Sequence, residues 1–131
     1  MNWRQSLAIL ALLALMLFCT SAATAELAPS SLVAGDFSWR WTGRAVIHEG
    51  DLQVYDVWPT LEDMTGLQVV HISWSSTNYR GSFPFGQRNC FTVFQPRGLG
   101  PVQLSCVIIA YRPATDEWLF GLLVLDVLVV Q

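Results

Sequence analysis

The chain has 131 residues, 53% of them hydrophobic and 12% aromatic, with seven arginines and no lysine against ten carboxylates, for a net charge of −3. This balance argues against nucleic acid or an anionic membrane as the main partner, because both are gripped by basic stripes that displace counterions or reach headgroups. The length suits one domain with a single core and is too short for two.

Residues 1–25 read as an export signal. Arg4 supplies the positive start, residues 7–18 form an unbroken apolar run of 12, and Ala23-Thr24-Ala25 offers the small residues that a signal peptidase needs. That run is too short to span a bilayer, so cleavage before Glu26 and no stable membrane insertion afterwards are expected. Removing 25 of the 131 residues leaves 106 and takes away one arginine, so the mature net charge becomes −4. The expected location is extracellular or periplasmic. Cys19 leaves with the signal, and Cys90 and Cys106 remain as an even pair in an oxidising compartment.

Residues 26–35 read as a flexible lead-in, and residues 36–131 as a single β-rich domain. Phe37, Trp39 and Trp41 alternate with Ser38, Arg40 and Thr42, the period of a half-buried strand. Strand-like runs at 45–48 and 52–57 flank Glu49-Gly50-Asp51 and predict a β-hairpin. Alternation resumes at 67–74, with Val70, Ile72 and Trp74 on one face. Residues 75–89 read as a long loop holding a short strand near Phe83 to Phe85. Pairing 91–94 with 102–105 about Gly98 places Cys90 opposite Cys106, and a disulfide there would stabilise the hairpin by about 3 kcal/mol in the chain-entropy account.

The last strand, from Trp118 to Val130, is apolar on both faces except at Gly121 and Asp126. Such a run is expected of a central strand covered on both sides, or of one that meets a partner subunit. Asp126 needs a partner if it is buried. The whole pattern predicts an all-β fold: an antiparallel β-sandwich of the immunoglobulin-like kind or a small barrel, with one disulfide.

Chemistry is sparse. His48, Glu49, Asp51 and His71 carry N and O donors but no repeated ligand spacing, so neither a metal nor a cofactor is expected. Disulfide formation leaves no thiol nucleophile, and no serine sits in a hydrolase elbow, so the chain reads as a non-enzyme. Binding is the better reading. Tyr79, Phe83 and Phe85 in the long loop, and Trp39, Trp41 and Trp58 on strands, are the candidate contacts for a partner protein. Trp74 and Trp118 are expected in the core. Carbohydrate is the alternative ligand, with Trp39, Trp41 or Trp58 as a platform and Asp56, Asn78 or Gln87 meeting hydroxyls. A structural subunit that oligomerises through the apolar last strand is a third reading.

Thr65-Gly66 after the predicted hairpin, the glycine-bearing stretch from Gly81 to Gly86, and Arg112-Pro113 before the last strand follow one another in a set order. Over residues 50–130 this layout resembles that of chagasin-type cysteine-peptidase inhibitors. The resemblance implies an immunoglobulin-like sandwich whose three loops, gathered at one end, wedge into a papain-like active site.

Overall fold

The computed structural model describes residues 28–131. Nine strands occupy most of this length: β1 (Ser31–Gly35), β2 (Ser38–Thr42), β3 (Val46–His48), β4 (Gln53–Thr60), β5 (Gln68–Ser76), β6 (Gly81–Phe85), β7 (Phe91–Pro96), β8 (Gly100–Arg112) and β9 (Glu117–Val130). One sheet has the order β1-β9-β8-β5, and β3 lies parallel to the far end of β9. The other runs β2-β4-β7-β6 and is antiparallel throughout. The fold is therefore all-β, with two sheets packed face to face.

Alternation explains the core. In β4, Tyr55 and Val57 point inward; in β8, Leu104, Cys106, Ile108 and Ala110 do; in β9, Leu119, Leu123, Leu125, Val127 and Val129 do, and all are buried. Trp74 and Phe94 join them from β5 and β7. Gly121 is an inward position of β9 that cannot carry a side chain. A Cβ there would lie 2.8 Å from both Ile108 Cγ2 and Phe37 Cδ2.

Four expectations are corrected. The predicted hairpin does not form, since β3 pairs with β9 while β4 pairs with β2 and β7 in the opposite sheet. Nor do the two cysteine-bearing segments pair: β7 belongs to the four-stranded sheet and β8 to the five-stranded one. The link between them turns at Gly98 (φ 86°) and Gly100 (φ 106°), and Arg80 donates to the carbonyls of Arg97 and Leu99, which fastens the corner. Cys106 thus lies opposite Trp74 and Leu123 rather than opposite Cys90, and the structure shows no bond between the two sulfurs. The segment expected to be a flexible lead-in contains β1, which pairs with β9 from Gly121 to Leu125. Finally, Trp118 is not in the core; it is 62% exposed and stacks on Tyr111 at 4.6 Å.

The last strand is central, because β8 runs along one side and β1 followed by β3 along the other, but it is not covered on both faces as the central-strand reading required. Only one of its faces is covered. Asp126 projects from the open face and accepts hydrogen bonds from Ser30 Oγ and Gln103 Nε2, each at 3.0 Å. It needs no buried counter-ion.

Candidate functional site: an apolar cleft between the sheets

β4 is longer than its pairing with β7. The ladder covers Gln53 to Asp56, and beyond it the chain before β7 bends away after one more bond, in which Val57 N–H donates to the Cys90 carbonyl at 3.1 Å. That divergence opens a cleft of about 520 Å³ between β4 and β5. Buried Phe37, Val57 and Ile108 line it deeply, while exposed Trp58, Met64, Val69 and Phe91 stand around it. Asp56 and Arg88 are its only charged residues.

Both loops that wall the cleft are anchored. Residues 86–90 are held to β5 by Trp74 N–H to the Gln87 carbonyl (2.8 Å), Gln87 Nε2 to the Trp74 carbonyl (3.3 Å) and Trp74 Nε1 to the Asn89 carbonyl (2.9 Å). Residues 61–67 are held by Arg112, whose guanidinium donates to the carbonyls of Thr65 and Asp63, each at 2.7 Å. Arg112 also pairs with the carboxylates of Asp63 and Glu117, at 3.3 and 3.1 Å. Within that loop Thr65 N–H donates to Asp63 Oδ1 at 2.9 Å. The Asp63 carboxyl is held below the usual carboxylate range first by these bonds from Thr65 and then by Arg112. A cleft with fixed walls pays less ordering entropy when something enters it.

Reactive groups are not poised here. The Cys90 thiol is pushed up by burial and by the nearby Asp56 carboxylate, so it stays protonated and weakly nucleophilic at neutral pH. Among the described residues no three His, Cys, Asp or Glu side chains gather as metal ligands. His48 lies beside Val130, whereas His71 lies beside Ile109 and bonds Ser73 Oγ at 3.0 Å, so the two sit at opposite ends of the β8–β9 pair.

The predicted contact residues scatter. Trp58 is at the cleft, and Phe85 packs edge-on against Phe91 at 6.2 Å, extending the apolar rim along the outer face of the four-stranded sheet. Phe83 turns inward against Trp74 and Phe94. Trp39 is buried and Trp41 half-buried, and the indole N–H of each is enclosed without an acceptor, so these two cannot form an exposed sugar platform with Trp58. Tyr79 is 94% exposed on the turn at Thr77–Tyr79, near Gln103 and away from the cleft. Met64, Leu67, Val69, Ile72 and Arg88 complete the cleft and were not among the expected contacts. A bulge between Val69 and His71 places both Val69 and Val70 in solvent, an apolar exposure that alternation alone assigns to one or the other.

Of the three loops of the inhibitor layout, two meet: Arg112 bonds the Thr65 carbonyl next to Gly66. The third is not a loop: residues 81–85 form the edge strand β6, which runs from Gly81 beside Pro96 to Phe85 beside Val93. Comparison with protein-family models and with curated proteins finds no match to this chain.

Proposed function

We propose that this chain is an exported, non-catalytic binding domain that engages a protein partner by receiving one of its apolar side chains in the cleft between β4 and β5. The observation that carries this reading is the cleft itself: apolar in depth, fixed in shape by Arg112 and Trp74, and rimmed by Trp58 and Phe91. Aromatic anchors around a desolvated pocket are the usual centre of protein recognition. Selection of a random-peptide phage library on the protein tests it. Enriched peptides should share an apolar anchor and lose binding to Val69→Asp and Trp58→Ala while keeping it for Tyr79→Ala. Peptides indifferent to the first two changes, or no enrichment, would overturn the reading.

Export underlies the same proposal. It is supported by Arg4, the apolar run at 7–18 and the small residues at 23–25. In an oxidising compartment Cys90 and Cys106 would join as a bridge between the sheets rather than within a hairpin. Both pack in one core, near enough for Cys90 to raise the thiol pKa of Cys106. Nine strands in two sheets over about 100 residues also suit an immunoglobulin-like frame. A mass spectrum of exported protein that starts at Glu26 and lacks two thiol hydrogens supports both points; an intact start or two free thiols removes one or the other.

A further inference from the structure

We propose that the open face of the five-stranded sheet is the interface of a homodimer. The argument is independent of the cleft, with which this face shares no residue. β8 and β9 bury one set of side chains in the core, and an antiparallel sheet with one face in water should carry polar residues on the other. Instead three successive outward rows, Tyr111–Trp118, Ile109–Phe120 and Val107–Leu122, carry large apolar or aromatic side chains across the two strands, before Ser105–Val124 and Gln103–Asp126 bring in polar groups. β1 extends the face with Leu32, which is 64% exposed, beside Val124.

The area is that of an interface. Trp118 (62% exposed), Leu32 (64%), Phe120 (44%) and Leu128 (44%) are its most open large side chains. With the half-buried residues between them they present apolar surface on the order of several hundred Å², in the range of the largest patch on an ordinary monomer and approaching the ~800 Å² per partner of a specific complex.

A second copy is the occupant that the face fits. In the apolar rows the larger side chain stands on β9 and the smaller on β8: Phe120 with Ile109, Leu122 with Val107, Leu128 with Pro101. A twofold axis along the β8–β9 seam lays each β9 residue over the β8 residue of its own row in the other copy, so large meets small and the central rows interdigitate. The same axis sets Asp126 over a Gln103 amide rather than over another carboxylate. A closed twofold contact buries the face once and leaves no further copy to add.

Sedimentation equilibrium of the exported protein tests this, with the full-length precursor alongside. A mass of two chains at micromolar concentration is expected. Phe120→Glu should weaken association by roughly thirtyfold or more, the scale of losing a hot spot, whereas Phe85→Glu on the opposite sheet should leave it unchanged. Because a charged variant could unfold, Trp118 emission in the otherwise native chain gives a second reading: dilution should shift it to the red, and Trp118→Phe should abolish the shift. A monomeric exported protein whose emission ignores dilution overturns the proposal. So does a dimer that survives Phe120→Glu, or a precursor that alone has the face covered, which would assign it to residues 1–25.

Discussion

Replacing Arg112 with alanine should loosen the loop that walls the cleft, and the size of the effect follows from what the guanidinium holds. Its side chain is only 12% exposed and makes two hydrogen bonds of 2.7 Å to the carbonyls of Asp63 and Thr65. Its carboxylate partners are open to water, Asp63 at 69% and Glu117 at 50%, so those two ion pairs are screened and add little. The carbonyl bonds dominate at about 1 kcal/mol apiece, and lost packing of the alkyl stem adds to them, for a total of about 2–3 kcal/mol. In a domain of this size that corresponds to a fall in melting temperature of roughly 10–15 °C. Arg112→Lys should recover less than half, because an ammonium cannot span both carbonyls in the fixed geometry of the guanidinium fork. Urea titrations of the two variants, with amide exchange followed at Thr65 and Leu67, measure it. If Arg112→Ala stays within 0.5 kcal/mol of the parent, or the lysine variant matches the parent, the bracing role is wrong.

Two further outcomes concern the core. Gly121→Ala drives a methyl group to 2.8 Å from Ile108 and Phe37, so it should cost about 1–3 kcal/mol despite the better strand propensity of alanine, and an unchanged thermal melt would contradict the packing described. Under reducing conditions, stability should fall above about pH 9. Burial, with Cys90 adding to it, pushes the Cys106 thiol up to about 12, and burial also raises the Tyr55 phenol, so the fold favours both neutral forms. Their contribution is complete below the unfolded values near 8.5 and 10 and is lost as pH climbs toward the folded values, by up to about 1.4 kcal/mol per pH unit and group. Urea midpoints that stay level from pH 8 to 11 would count against this. Tyr55→Phe should flatten the upper part of the curve while removing about 1 kcal/mol with the hydroxyl's 2.8 Å bond to the Arg44 carbonyl.

Alternation along β2 and β5 was legible because a strand's side chains point to opposite faces in turn whatever it pairs with. The all-β class follows from that local rule, whereas the central position of β9 was read from its continuous apolar run. Partner choice is not local. Residues 46–48 and 53–60 are sequence neighbours with a turn between them, yet they enter different sheets, and so do β7, which Cys90 precedes, and β8, which carries Cys106. In a two-layer fold a short connection can either turn back beside its strand or cross to the other layer. The positive φ at Gly98 and Gly100 serves the crossing as well as it would a hairpin.

The cleft was hidden for a related reason. Trp58 was in view as an aromatic, but Met64, Val69 and Arg88 come from three separated segments, and only the end of the β4–β7 ladder at Asp56 brings them around one cavity. The sequence by itself determined that the last strand would be apolar on both sides and that this needed an explanation. Tertiary structure decided that the inner face fills the core while the outer face stays open, since burial depends on which layers stack, and among the described residues no layer lies over the outer face of β8 and β9.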